Sequence, residues 1–180
     1  MDLPTTLTLL VDNLVNLRGL TPAWGNFLCE ASSYAFELKN HPQGVEMNLK
    51  GDRIALFRVF WNTIITEQTR NAWKDRDELA EYGATGVALL LVFELDELIV
   101  VRRAVKGEGV DYWLGHNTDS LFIQESARLE VSGRLEGNES TVKDRVKRKR
   151  KQTEPTDYTN LPAYVIVVEF GKPVSYLTKK

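Results

Sequence analysis

The sequence predicts a mixed α/β protein whose core, from residue 75 onward, has the element order α-β-β-β-α-β. The first observation behind this prediction is a long helical stretch that precedes three short segments of β-branched or alternating apolar character. The second is a highly charged amphipathic helix that precedes a fully apolar strand. Alternation of this kind is typical of a mixed sheet with helices packed against it.

The N-terminal part, residues 1–74, is predicted to form two helices and a β-hairpin that pack on this core. Apolar side chains recur at helical spacing through residues 5–17, which predicts the first helix. Thr21 can cap the second helix, Pro22 suits its first position, and Pro42 ends it.

The hairpin is predicted from residues 45–61. Apolar and polar side chains alternate up to Leu49, Gly51 and Asp52 form the turn, and a second apolar run follows. Residues 53–61 are also compatible with the start of a helix.

The core elements follow from the same patterns. They are a helix over residues 62–95 with a break near Trp73–Asp75, strands over 97–105, 110–115 and 125–133, a helix over 138–153 capped by Ser140 or Thr141, and a strand over 161–170. The last residues, "LTKK", are expected to fray.

Composition restricts the class of protein. The 180 residues are 43% apolar and 27% charged, which is typical of a single globular domain or a domain with a small appendage. One cysteine rules out a disulfide framework and a cysteine zinc site, which fits a reducing, cytoplasmic location. The longest apolar run is too short to span a bilayer and no signal peptide is evident, so we expect no membrane partner.

Charge is unevenly distributed. The net charge is only −2, yet residues 143–151, "KDRVKRKRK", contain seven Lys or Arg and one Asp. Such a helix face is usually just solvated, but this density also suits a surface that meets phosphates.

Two strands of the predicted core are each interrupted by a carboxylate. Asp111 shares a strand face with Trp113, so it would be desolvated unless a cation or a cleft compensates. Glu130 shares a face with Ser132 on the neighbouring strand. If the two acids meet, a divalent cation with hard oxygen ligands, Mg²⁺ or Mn²⁺, would relieve their repulsion.

Simpler interpretations of both acids remain open. Asp111 could be an ordinary carboxylate at the end of a strand near a turn. Glu130 could form a cross-strand ion pair with Arg102 or Arg103.

The element order and these two acids resemble the core of the PD-(D/E)XK, or restriction-endonuclease-like, nuclease superfamily. The resemblance covers roughly residues 75–170, and Val110 replaces the proline of the family motif. It implies a metal ion held by Asp111, Glu130, the Val131 carbonyl and a helix acid, Glu81 or alternatively Glu78. In that family the metal activates water to cleave a phosphodiester bond.

One position departs from the family pattern, because Ser132 replaces the family's lysine. Some members supply the lysine from elsewhere, and Lys149 lies within the inward stripe that Val142 and Val146 define on the following helix. We therefore predict that Lys149 contacts Glu130 and replaces the missing lysine. Lys147 and Lys143 are substitutes, and Gln152 resembles a helix glutamine found in part of the superfamily.

Three functions follow from these patterns. The first is a Mg²⁺-dependent nuclease that acts on DNA, with backbone contacts from the basic helix at Lys143, Lys147, Arg148 and Lys151. The second is a catalytically inactive nuclease-fold subunit that serves binding or assembly in a defence or DNA-processing system. The third is an interaction domain whose basic helix meets an acidic partner. The N-terminal helices suit a homodimer face or a lid, and both stay open.

Overall fold

The chain forms an eight-stranded mixed sheet with the strand order β1-β3-β2-β8-β7-β6-β5-β4, in a computed structural model that describes residues 6–180. The strands are β1 (Thr6–Leu10), β2 (Val45–Gly51), β3 (Ala55–Phe60), β4 (Leu98–Arg103), β5 (Tyr112–His116), β6 (Ala127–Arg134), β7 (Ala163–Glu169) and β8 (Val174–Lys179). The helices are α1 (Pro22–Leu38), α2 (Glu67–Ala72), α3 (Arg76–Asp96) and α4 (Glu139–Gln152), with 3₁₀ turns at Val11–Asn16 and Glu154–Thr159.

The C-terminal half has the predicted order, α3-β4-β5-β6-α4-β7. β4, β5 and β6 are antiparallel neighbours, whereas β6 and β7 are parallel. A parallel pair needs a crossover connection, and α4 supplies it. The mixed α/β class predicted from the sequence is therefore confirmed.

The prediction of a first helix over residues 5–17 is wrong, apart from residue 5, which lies outside the described residues. Thr6–Leu10 is a strand that pairs in parallel with β3, and Val11–Asn16 is a 3₁₀ turn. Threonine and leucine alternate in residues 6–9, and this period of two suits a strand at the sheet edge. The apolar residues that suggested a helix are split between the two elements, since Leu7 and Leu10 lie in the strand and Val11 and Leu14 lie in the turn.

The other predicted N-terminal elements are present. The Thr21 side chain accepts the Trp24 backbone N–H and so caps α1. β2 and β3 form the antiparallel hairpin. The long helix over 62–95 is interrupted where expected, because α2 ends at Ala72 and Asp75 caps α3.

Two details at the C-terminal end differ from the predictions. "LTKK" does not fray, because β8 lies between β7 and β2, and Lys180 exchanges backbone hydrogen bonds with Ala163. The cap of α4 is Asn138, rather than Ser140 or Thr141, and Thr141 completes the capping box with it. β8 joins the N-terminal hairpin to the strands of the core, so the sheet runs through both parts of the chain.

The two faces of the sheet are covered differently. α1 and α3 pack on one face around the main apolar core, and α3 approaches so closely that a side chain at Gly133 would overlap the Ala80 carbonyl. α4 covers the other face through only two buried residues, Val142 and Val146, which contact Val167 and Tyr176. No helix within residues 6–180 has the length and apolar character of a membrane span.

Candidate active site

The candidate site lies at the N-terminal end of β5, beside β6. The register of the two strands places Tyr112, the first residue of β5, opposite Leu129, so the part of β6 from Glu130 onward has no β5 residue beside it. α3 lies on one face of the sheet and α4 on the other, and residues of both helices line the cavities at this gap. The gap therefore brings side chains from both faces together.

Asp111 is fixed at this gap by the backbone of β6. Its own N–H donates to the Leu129 carbonyl at 2.8 Å, and its Oδ2 accepts the Val131 N–H at 2.7 Å. The N–H and C=O of one strand residue point to the same edge, so the Val131 carbonyl faces Asp111 as well. Asp111 thus continues the β5–β6 ladder with its side chain.

Glu130 is 0% exposed and points toward α4. The Lys149 ammonium donates to Glu130 Oε1 at 2.5 Å, which is the contact that the sequence predicted. The alternative ion pair with Arg102 or Arg103 is not formed within the described residues, since Arg102 pairs with Glu108 and Glu125 instead.

The environment of the two carboxyls raises the pKa of both. Burial, followed by the nearby Asp111 charge, raises the pKa of Glu130 to about 8, although Lys149 opposes this shift. Burial also raises the pKa of Asp111, against the Val131 N–H and the Lys149 charge. Glu130 Oε2 is buried and has no hydrogen-bond partner within the described residues, so the ionised form of this carboxyl is poorly solvated.

Ser132 is contacted by an arginine from α4. The Arg145 guanidinium donates to Ser132 Oγ at 2.8 Å and to the Gly133 carbonyl at 3.3 Å. The helical period places Arg145 beside the inward stripe of α4, but it does not show how far a long side chain reaches. Arg145 is therefore a site residue that sequence reasoning missed.

Glu81 does not join Asp111 and Glu130. It is exposed on α3 and, with Gln152 of α4, lines two neighbouring cavities of about 490 and 500 Å³. One cavity includes Ser132 and Lys149, and the other includes Asp111. Within residues 6–180, no group of three or more His, Cys, Asp or Glu side chains is arranged to hold a metal ion. The alternative helix acid, Glu78, is exposed and lines neither cavity.

The oxygen atoms at the gap still suit a small hard cation. Two carboxylates and a backbone carbonyl are ligands that Mg²⁺ accepts, and Mg²⁺ usually keeps several waters besides one or two carboxylates. The buried Oε2 of Glu130, which lacks a donor in the ionised state, is the atom that a cation would satisfy. Asp111, Glu130 and the Val131 carbonyl therefore fit such an ion without a third acid.

The exposed face of α4 carries the cations that the sequence assigned to DNA. Lys147, Arg148 and Lys151 are exposed and have no acidic partner within the described residues, and Arg148 also lines the cavity at Lys149. Lys143 differs, because it pairs with Glu139 at 2.9 Å. Three of the four residues are free to meet a phosphate backbone.

No protein-family model, curated protein or solved structure matches this chain.

Proposed function

We propose that the chain is a metal-dependent phosphodiesterase that cleaves DNA. The observation that carries this proposal is the meeting of Asp111, Glu130 and Lys149 at the open end of β5, between α3 and α4. A buried and a half-buried acid, both with raised pKa values and both beside a lysine, are more typical of a functional site than of a structural ion pair.

The order of the elements supports a PD-(D/E)XK-like core. Asp111 immediately precedes the second strand of the α3-β4-β5-β6-α4-β7 series and Glu130 lies within the third, close to the positions that the resemblance implies, an Asp at the second strand and an acid on the third. This chain has Ser132 where the superfamily has a lysine. In this proposal Lys149 of α4 takes the role of that lysine, because its ammonium contacts Glu130.

Each residue then has a chemical role. Asp111, Glu130 and the Val131 carbonyl would hold Mg²⁺ or Mn²⁺, which supplies an activated water and charge neutralisation at the phosphate. Lys149 keeps Glu130 oriented toward Asp111 and offsets the cost of burying its charge. The exposed cations of α4 position the DNA backbone next to the cavity.

Replacement of Asp111 by asparagine tests the proposal. Asp111→Asn keeps an acceptor for the Val131 N–H but removes the charge that a cation needs, so cleavage of plasmid and oligonucleotide DNA in Mg²⁺ or Mn²⁺ should fall at least about 100-fold. Isothermal titration with Mn²⁺ measures the loss of metal binding separately from activity.

The matched control is Asp119→Asn, which changes an exposed loop aspartate that has no ion pair within the described residues. This control should cleave like the unchanged chain. Absence of cleavage by the unchanged chain on single-stranded, duplex and supercoiled DNA would contradict the proposal.

A second candidate function is DNA binding without catalysis. It is favoured by the contacts of Arg145 with Ser132 and of Lys149 with Glu130, and by the absence, within the described residues, of a group of three acids that could hold a metal ion. A nuclease-fold subunit of this kind would bind DNA in a salt-sensitive way and would show no Mn²⁺ binding in the same titration.

A further inference from the structure

The cavity that contains Asp111 has a wall that the cleavage chemistry does not use. Its volume is about 500 Å³, within the range of ordinary ligand sites. Besides the acid, its lining includes Tyr82 of α3, Arg103 of β4 and Tyr112 of β5. Aromatic and guanidinium groups therefore lie beside the proposed catalytic acid.

An aromatic cluster stands behind this wall. Trp24 stacks on Phe27 with ring centroids 5.0 Å apart, and Tyr82 meets both rings edge to face. The indole N–H of Trp24 donates to the Tyr112 hydroxyl at 3.0 Å, which fixes the orientation of the ring. Rings held in this way form a rigid base for a further stacked group.

Arg103 completes the stack on the side of Trp24. Its guanidinium lies 4.4 Å from the Trp24 ring centroid, is exposed, and has no carboxylate partner within residues 6–180. The preceding residue, Arg102, also covers a tryptophan, Trp113, but its charge is taken up by Glu108 and Glu125. Arg102 is thus paired with two carboxylates, whereas the Arg103 guanidinium at the cavity has no carboxylate partner within the described residues.

We propose that the Trp24–Arg103 stack binds an unpaired base of a single DNA strand and places the adjoining phosphate near Asp111. This inference rests on the proposed function, whose substrate it narrows to single-stranded DNA. The guanidinium plane stacks on the base, and its charge holds the neighbouring phosphate.

A paired base does not suit this wall. Bases in a duplex are already stacked on both sides, whereas an unpaired base offers a free face to an aromatic ring or a guanidinium plane. The cations of α4 can bind the backbone of either form of DNA, so the preference for single strands comes from the stack.

The test measures DNA binding without metal, in EDTA, so that cleavage does not enter. The probes are a fluorescent oligothymidine, the same strand with abasic positions, and a hairpin duplex, compared by anisotropy. The unbroken single strand should bind at least about fivefold more tightly than the abasic strand, which has the same phosphates.

The informative variant is Arg103→Lys, which keeps the charge and removes the planar group. It should weaken binding of the single strand at least about fivefold, leave the abasic strand unaffected, and keep the salt dependence unchanged. The control is Arg58→Lys, an exposed arginine on β3 whose replacement should change none of the three affinities.

The remaining outcomes separate the two proposals. Equal binding of all three probes, or an Arg103→Lys variant that binds like the unchanged chain, overturns the single-strand inference and leaves the cleavage proposal standing. Failure to bind any DNA in EDTA overturns the single-strand inference, and the cleavage assay with Mg²⁺ or Mn²⁺ then decides the cleavage proposal separately.

Discussion

Glu130 is the residue in which burial, repulsion and attraction oppose one another most directly. Its carboxyl is removed from water and lies beside Asp111, and both effects favour the protonated form, whereas the Lys149 ammonium favours the ionised form. Burial and the Asp111 charge outweigh the lysine, because one cation at the edge of the site does not replace the hydration of a fully buried carboxylate.

The raised pKa of Glu130 makes stability depend on pH. The folded protein keeps a proton that the unfolded chain releases above the ordinary value of 4.5, so this contribution is complete below that pH and disappears by about pH 8. Relative to Glu130→Gln, the free energy of unfolding should fall by roughly 1 kcal/mol per pH unit across this interval. Urea unfolding at several pH values measures the slope.

The control for this experiment is Glu94→Gln on the exposed side of α3, which should keep the slope of the unchanged protein. Parallel stability curves for Glu130→Gln and the unchanged protein would show that Glu130 ionises normally in the folded state.

A contact between two side chains could be predicted from the sequence where the residues lie on consecutive elements. Lys149 could be assigned to Glu130 because α4 follows β6 directly and its helical period showed which side chains face inward. The Trp24–Arg103 stack joins residues far apart in the chain, and no period in either segment signals it. The position of Asp111 likewise depends on where β5 begins beside β6, and this is set by the register of the two strands.

At the scale of the element, α4 does two things with one amphipathic pattern. Two valines hold it on the sheet, and two cations reach inward to Ser132 and Glu130. Arg150 donates to the Lys179 carbonyl, and the remaining cations face solvent. Because few apolar contacts hold it, its position depends on the polar contacts at the site.

Removal of the exposed charges of α4 should weaken DNA binding without affecting the fold. Replacement of Lys147, Arg148 and Lys151 by glutamine should reduce affinity for every DNA sequence. It should also lower the slope of log affinity against log salt by about one for each phosphate that the helix no longer binds. Anisotropy titrations at several salt concentrations measure both quantities.

A triple variant of Lys74, Arg58 and Lys172 removes the same charge from other exposed positions. If it lowers the salt slope equally, then binding depends on net charge alone and α4 is not the contact surface.

Elements in which apolar residues recur with a clear period were predicted from the sequence, whereas the short strands β1 and β8 were not. α1, the hairpin, α3, α4 and β7 each have a run long enough to separate a period of 3.6 from a period of two. β1 is continued by a 3₁₀ turn that imitates helical spacing, and β8 mixes polar and apolar residues over six positions. Such segments become strands because a partner strand is present.

At the scale of the whole molecule, β8 connects the two parts of the chain. It is parallel to β2 on one side and antiparallel to β7 on the other, so the hairpin and the proposed nuclease core share one ladder of hydrogen bonds. We therefore expect the two parts to unfold together.

Leu177 tests this coupling, because it is fully buried in β8 and pairs with both neighbouring strands. Leu177→Ala should lower the free energy of unfolding by about 3 kcal/mol. Hydrogen exchange should show the same loss for slowly exchanging amides in β3 and in β6.

Thr178→Val is the comparison variant, since the Thr178 hydroxyl has no hydrogen-bond partner within the described residues. It should leave stability nearly unchanged. A loss confined to β3 in the Leu177→Ala variant would mean that the hairpin opens independently of the rest of the sheet.

The position of β8 also has a consequence for synthesis on the ribosome. Asp52, just after β2, accepts the backbone N–H of Lys179 across a separation of 127 residues. The β2–β3 hairpin is therefore translated long before β8, the strand that pairs with β2. Until β8 is synthesised, the β2 edge of the hairpin has no partner strand. An unpaired strand edge can pair with another chain, so we expect aggregation during translation to begin at β2 unless a chaperone covers this edge.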